Sequence, residues 1–163
     1  MISLVYHPDE RLLQPAQEVP EITAATATLA EQMIACMHDE RGIGLAGPQI
    51  GHMERIFVVH VPEDEPRVFI NPRIIAHSPE EGPYEEGCLS VPGVYADVIR
   101  PLAILVEGWD QTGAPLRVEA DGLLARVILH EYDHLEGVLF FDHLSPRKRE
   151  RLLRHYKTPQ QEG

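Results

Sequence analysis

Two histidines and a glutamate near the end of the chain have a spacing that could support metal-assisted hydrolysis. Residues four apart lie on the same face of an α-helix, so His130 and His134 point the same way, with Glu131 beside them. Two neutral imidazoles can hold a divalent metal, and the adjacent carboxylate can act as a base toward whatever the metal binds. Residues 129–137 (LHEYDHLEG) therefore predict a metal site on one face of a helix.

The residues around this motif favour a helix. Gly137 is a natural C-terminal stop. Apolar side chains recur at helical spacing, at Leu123, Leu124, Val127, Ile128 and Leu135. The motif alone does not establish a metal site, because a chain with nine histidines can contain this pattern by chance. The alternative interpretation is that His130 and His134 are buried histidines with ordinary hydrogen bonds. A third ligand from elsewhere in the chain would distinguish the two interpretations.

Cys88 is the candidate third ligand. It lies in a short glycine-flanked turn between polar and strand-like segments, where a thiol has no evident role in a core. A thiolate with two imidazoles makes three protein ligands, the number found in catalytic metal sites, and leaves a fourth position for water. The metal itself would drive deprotonation of the thiol. Without the histidines, Cys88 would be interpreted as a buried unreactive residue, as Cys36 is here.

The first third of the chain predicts an arm, a helix and a close-approach loop. Three prolines within residues 1–20 indicate an extended, turn-rich arm on the surface. Thr23 can cap a helix that runs to about His38. Residues 42–51 (GIGLAGPQIG) suit a backbone that must approach something closely, and Gln49 is the side chain there that can both donate and accept hydrogen bonds.

The rest of the chain before the motif is strand-like, apart from a polar stretch at residues 76–86. The strand patterns cover residues 55–61, 67–75, 94–100 and 102–109, with a return through 116–118. Sheet segments followed by a late helix predict the α+β class. We expect antiparallel or mixed β-sheets packed around a central metal-binding helix, with a C-terminal helix, in a single domain of residues 1–163.

The charge is divided unevenly along the chain, whose net charge is −12. Residues 1–145 hold 8 arginines and no lysine against 24 acidic groups, a net charge of −16, whereas residues 146–163 carry +4. The acidic body argues against DNA and general nucleic-acid binding. The basic C-terminal helix and tail of residues 146–163 are either a solvated helix face or a contact for an anionic partner.

Composition also indicates the compartment. No stretch approaches the ~20 apolar residues of a membrane span. The N-terminal residues MISLVYHP lack the basic region and apolar run of a signal peptide. Two cysteines are too few for a disulfide framework. We therefore expect a cytoplasmic protein with no membrane contact.

Three blocks of sequence together resemble the peptide deformylase family. They are residues 42–49 (GIGLAGPQ), 86–90 (EGCLS) and 130–134 (HEYDH), in the family's order and at its approximate spacing. Two departures are visible. Gly47 stands where the family usually has a second alanine, which is expected to loosen the loop, and Leu129 stands where a glutamine commonly precedes the first histidine, so rate or substrate preference could differ.

The resemblance implies removal of the formyl group from the N-terminal formyl-methionine of nascent polypeptides, with release of formate. It also implies that Cys88, His130 and His134 hold one divalent metal, which would lower the pKa of a bound water. Glu131 would take the proton from the attacking water and deliver it to the leaving nitrogen.

Further residues acquire roles by the same resemblance. The backbone N–H of Leu89 and the side-chain amide of Gln49 would donate to the developing oxyanion. The substrate backbone would bind like an added strand, along Ile43, Gly44 and Gly87. Helical spacing places Val127 one turn before Glu131, as either a wall of the methionine pocket or plain core.

The metal and one partner are expected from the same reasoning. The ligand set suits Zn²⁺, Fe²⁺, Ni²⁺ or Co²⁺, and the resemblance implies that Fe²⁺ is native and that purified protein could carry another ion. The resemblance also suggests that the basic segment contacts ribosomal RNA, through Arg147, Lys148, Arg149, Arg151 and Arg154.

Two other functions fit the metal motif. One is a different HExxH metallohydrolase, such as a peptidase, but those usually take a third histidine or a glutamate rather than a cysteine. The other is a non-catalytic protein with a structural metal. A closed structural site needs a fourth protein ligand, and no second cysteine or histidine neighbours Cys88 in the sequence.

Overall fold

The computed structural model describes residues 2–159, and within them the chain forms three α-helices and seven β-strands. The helices are α1 (Ala24–Asp39), α2 (Gly122–Leu135) and α3 (Pro146–His155). The strands are β1 (Gly44–Ala46), β2 (Ile56–Val59), β3 (Arg67–His77), β4 (Glu81–Cys88), β5 (Val91–Pro101), β6 (Ala103–Trp109) and β7 (Pro115–Asp121). Short 3-10 turns cover Glu10–Leu13, Gly47–Ile50 and Phe140–His143.

The strands form two antiparallel sheets. The larger has the order β1-β2-β3-β6-β7, and β4 pairs with β5 in a separate hairpin. Both faces of β2 are covered, because Phe57 and Val59 pack into the cluster that includes α2, while Ile56 and Val58 pack against α1. A strand buried on both faces is apolar throughout, which explains its sequence IFVV. The predicted α+β architecture with a C-terminal helix is confirmed.

Helix α2 is enclosed between the larger sheet and the β4–β5 hairpin. Its side chains contact the apolar cluster of the sheet on one side and the hairpin on the other. The buried residues of the helix include four polar ones, namely Arg126, His130, Glu131 and His134. The helix ends as predicted, with Gly137 in the left-handed region at a φ of 76°. Burial of four polar groups on one helix marks it as the element that carries the site.

The polar stretch at residues 76–86 is the main difference from the sequence prediction. Most of it belongs to β4, whose side chains are largely exposed, so it lacks the apolar alternation that identifies a half-buried strand. Its register is fixed by pairing with β5 instead. Cys88 is consequently the last residue of β4, and the tight turn comprises Leu89 and Ser90.

The C-terminal segment is helical where it is described. Helix α3 begins at Pro146 and is capped by Ser145, whose side chain accepts a hydrogen bond from the Lys148 backbone N–H. Leu152 anchors it to the protein, and its basic side chains are exposed. The predicted tail extends to residue 163, and residues 160–163 lie outside the described part. Within residues 2–159, no helix has the length and apolarity needed to cross a membrane.

Candidate active site

The structure brings Cys88, His130 and His134 together. Each offers one ligand atom, and these atoms all lie within 4.8 Å of one another. The Cys88 Sγ is 3.3 Å from the His134 Nε2. The two histidines are one helical turn apart on the buried face of α2, with ring centroids separated by 5.1 Å. A residue at the end of the hairpin thus meets two residues of the helix.

The chemistry of these donors fits a divalent metal. The His130 Nδ1 lies 2.9 Å from a Glu86 carboxylate oxygen, which can only accept, so Nδ1 carries a proton and Nε2 is the nitrogen left to bind a metal. Burial lowers the pKa of His134 well below its usual value, which keeps that imidazole neutral. Burial opposes a charge on His130 too, but hydrogen bonds to Cys88 and Glu86 outweigh it and raise its pKa. The surroundings of His130 therefore favour a positive charge, and a bound metal cation can supply that charge in place of a proton on the imidazole.

Glu86 orients His130 through a hydrogen bond. It is the main residue of this cluster for which the sequence predicted no role. Its buried carboxylate accepts hydrogen bonds from Arg100 (2.7 and 3.0 Å), from Arg126 (3.0 Å) and from His130. Burial opposes ionisation of Glu86, but the hydrogen bonds from His130 and Arg100 prevail and lower its pKa to about 2. Arg100 also reaches the Asp133 carboxylate at 2.8 Å. This ionic cluster joins the hairpin to α2.

One sequence signal could have identified this cluster. Arg126 lies four residues before His130, on the helix face that must be buried if His130 is a ligand. A buried arginine requires a carboxylate partner. If Cys88 binds the same metal as His130 and His134, then Glu86, two residues before Cys88, must also lie close to this face of the helix.

Glu131 is buried at the same site. Its Oε1 has no hydrogen-bond partner within the described residues. Burial raises the pKa of Glu131 to about 7. A carboxylate with an unpartnered oxygen and a pKa near neutrality is suited to accept and release a proton.

Gln49 lies on the other side of the thiol. Its Oε1 accepts a hydrogen bond from the Ala46 backbone N–H at 2.9 Å, which fixes the orientation of the amide. The amide nitrogen points toward the Cys88 Sγ at 3.6 Å and the Ser90 Oγ at 3.2 Å. The donor end of this amide therefore faces the space beside the three ligand atoms.

A cleft of about 660 Å³ opens at these residues. Nine of the ten residues singled out in the sequence line it, namely Ile43, Gly44, Gln49, Gly87, Cys88, Leu89, Val127, His130 and Glu131. His134 lies behind the wall, next to Cys88. Val127 lines the cleft and also belongs to the apolar core cluster between α2 and the larger sheet. It can therefore be both a pocket wall and a core residue. The cleft rim also includes the exposed rings of Tyr84 and Tyr95, which the sequence analysis did not identify.

Two glycines of the loop at residues 42–51 allow close approach. A Cβ at Gly44 would lie 2.5 Å from the Glu131 Oε2 and 2.8 Å from the Val127 Cγ1. A Cβ at Gly47 would lie 2.5 Å from the backbone oxygen of His52. Glycine at position 47 therefore permits a tighter backbone contact, and the expectation that it loosens the loop is not supported.

Comparisons with known proteins agree on one family. The profile described as polypeptide deformylase matches residues 1–150. The peptide deformylase of Chromohalobacter salexigens is 46% identical over 155 residues, which cover 94% of this chain and 91% of the relative. A peptide deformylase structure from Synechococcus elongatus, in complex with actinonin, superposes with a TM-score of 0.90 at 41% identity, covering 94% of this chain and 86% of that one. The peptide deformylase structure from Thermus thermophilus gives 0.89 at 37% identity, covering 94% and 92%.

Proposed function

This chain belongs to the peptide deformylase family, and from that premise we propose which residues perform the reaction, with which metal and which partners. The activity is that of a metal-dependent hydrolase, which removes the formyl group from the N-terminal formyl-methionine of nascent polypeptides and releases formate. One observation carries the assignment of residues: one thiol and two imidazoles converge beside the buried carboxylate of Glu131, whose Oε1 has no hydrogen-bond partner within residues 2–159. We propose that residues 1–163 form one catalytic domain.

Cys88, His130 and His134 hold one divalent metal per chain in this proposal. Fe²⁺ is the proposed native ion, and Zn²⁺, Ni²⁺ and Co²⁺ fit the same donors. When bound, the cation supplies Lewis acidity toward the formyl carbonyl and the attacking water. The carboxylate of Glu86 holds His130 in the tautomer that a ligand needs, at 2.9 Å.

The proton and the developing negative charge are handled by the chain's own groups. Glu131 takes the proton of the attacking water on its carboxylate and then delivers it to the leaving nitrogen. The Gln49 amide and the Leu89 backbone N–H donate hydrogen bonds to the oxyanion as it forms. Loss of one such donor typically costs about 2.7–4 kcal/mol of barrier.

The substrate lies between two strand edges in this proposal. β1 is the edge strand of the larger sheet, and its residue Gly44 and the preceding Ile43 line the cleft. Gly87, in β4, lines the same cleft. A peptide added as a strand beside Ile43, Gly44 and Gly87 would be held through main-chain groups, while Val127 bounds the space for the methionine side chain.

Product analysis tests the proposed reaction. With a formyl-Met-Ala-Ser peptide we expect equal amounts of formate and of peptide with a free amino terminus, and intact peptide bonds. Mass spectrometry of the products and an enzymatic formate assay measure both. A metallopeptidase would instead release shorter peptides, and a chain with a purely structural metal would release nothing; either result contradicts the proposal.

Gly44→Ala is expected to lower kcat/KM by about 10²-fold while the metal stays bound. The added Cβ would displace the Glu131 carboxylate and press on Val127, and a shift of about 1 Å in a catalytic group can cost that much. Gly82→Ala is the matched control, because a Cβ there would meet only the exposed side chain of Leu102. Wild-type kcat/KM in Gly44→Ala would show that Glu131 does not act from this position.

We propose a cytoplasmic location and a ribosome contact through α3. The exposed basic groups of the helix are Arg147, Lys148, Arg149, Arg151 and Arg154. Arg149 is already paired with Asp142 at 3.3 Å, whereas the other four have no acidic partner within residues 2–159. These four can approach ribosomal RNA without breaking any ion pair in the part of the chain that the structure describes.

Salt should weaken such an RNA contact steeply. The wild-type chain is expected to co-sediment with ribosomes at about 50 mM salt and to be released by about 200 mM. Substitution of those four basic residues by glutamine should abolish co-sedimentation even at low salt. The control variant combines Arg73→Gln with Arg117→Gln, two exposed arginines outside α3, and should still co-sediment with ribosomes at low salt. Retained co-sedimentation of the α3 variant would contradict the contact.

A further inference from the structure

Residues 156–159, which follow α3, contact the N-terminal arm beside the cleft. The Tyr156 hydroxyl donates a hydrogen bond to the His7 backbone oxygen at 2.7 Å, and the Thr158 hydroxyl donates to the same oxygen at 3.0 Å. The Tyr156 ring also packs against the His7 ring, with centroids 5.6 Å apart. Pro159 lines the cleft itself. Two hydroxyl groups thus converge on one carbonyl near the active site.

Residues 5–7 of the arm, here called the N-terminal strip, connect two parts of that site. The Val5 backbone N–H donates to the Gln49 backbone oxygen at 2.7 Å, and the His7 N–H donates to the Ser90 backbone oxygen at 2.9 Å. Gln49 and the Leu89–Ser90 turn carry the two proposed oxyanion donors. The strip therefore spans the distance between those donors.

The oxyanion donors depend on this connection because neither lies in a long regular element. Gln49 is in a four-residue 3-10 turn, and Leu89 and Ser90 form the turn that ends β4. Catalytic donors need to be held within about 0.5 Å of their working geometry. The strip itself belongs to none of the described strands. The two hydroxyls of residues 156 and 158 therefore restrain the part of the strip that bonds to Ser90.

We propose that residues 156–159 are a positioning element for the reaction, in which Tyr156 and Thr158 hold the N-terminal strip so that the donors on Gln49 and Leu89 keep their spacing. This role rests on the proposed function. Residues 156–159 would thus affect the turnover rate through their hydrogen bonds to His7, without affecting metal binding.

Removal of both hydroxyls tests the role. Tyr156→Phe combined with Thr158→Val keeps the ring contact with His7 and deletes both donors. We expect kcat to fall about tenfold, because the loosened strip would let the donors on Gln49 and Leu89 shift from their working geometry, with KM within about twofold and the metal content unchanged. Thr28→Val is the matched control, because it deletes a threonine hydroxyl bonded to the Ala24 backbone oxygen in α1.

A double-mutant cycle separates positioning from a general structural role. In a Gln49→Ala background one donor is already gone, so the same pair of changes should lower kcat by less than about threefold. A structural role alone would lower the thermal midpoint and leave kcat unchanged well below it.

Unchanged kcat in the double variant, or an equal fall in both backgrounds, would overturn the positioning role while wild-type formate release still supports the proposed function. A wild-type chain that releases no formate in the same assay would overturn both.

Discussion

Glu131→Gln is expected to keep its metal and to lose nearly all turnover, with kcat lower by about 10²–10⁴-fold. The glutamine has the same size and leaves Cys88, His130 and His134 in place, so the metal site should persist. It cannot accept a proton from water. The other carboxylates that line the cleft are exposed, apart from Glu86, which is held by His130 and two arginines. The effect should therefore appear in kcat rather than in metal affinity.

Metal content and steady-state rates on a formyl-Met peptide measure this effect. Glu136→Gln is the matched control, since Glu136 caps the same helix and its exposed carboxylate pairs with Arg55 at 3.1 Å. The control should retain wild-type kcat. If Glu131→Gln instead kept full metal occupancy and wild-type kcat, another group would have to be the base.

The helix-borne half of the site could be predicted because its information is local. The four-residue spacing of His130 and His134, the apolar residues around them and the stop at Gly137 together specify the helix and its inner face. Helix α1 was predicted for the same reason, and it begins after Thr23 as expected. In both cases neighbours in sequence are neighbours in space.

The hairpin half could be predicted only in part. Cys88 was identified by its chemistry and by the family resemblance, but its place at the end of a strand was not. β4 has mostly exposed side chains, so its strand character comes from pairing with β5 and leaves no apolar alternation. The role of Glu86 could not be predicted either, because a glutamate in a polar stretch of sequence is usually exposed to solvent. Only the folded structure shows that Arg100 and Arg126 pair with it.

The N-terminal arm shows a third limit of the sequence analysis. Its prolines correctly indicate an irregular path, but Val5 and Leu12 are buried and the arm bonds to Gln49 and Ser90. Hydrogen bonds between backbone groups distant in the chain produce no residue pattern. A segment predicted to lie on the surface is thereby part of the support for the site.

Removal of the metal is expected to have the other large effect, an essentially complete loss of formate release. The formyl carbonyl and the attacking water would lose the Lewis acidity that the cation supplies, worth several kcal/mol of barrier. The fold should survive, because the buried residues of the described core clusters and the Glu86 pairs with Arg100 and Arg126 include none of the three proposed metal ligands. Circular dichroism of the chelated chain should therefore match that of the native chain.

A metal titration under anaerobic conditions tests the central claim most directly. The chelated chain is titrated with Fe²⁺, and formate release from a formyl-Met peptide is measured at each addition, with Cys88→Ala as the comparison. The three-ligand site predicts activity that rises linearly to one equivalent of Fe²⁺ per chain and then stays constant, with no recovery in Cys88→Ala. Wild-type turnover in the metal-free chain, or full recovery in Cys88→Ala, would contradict it.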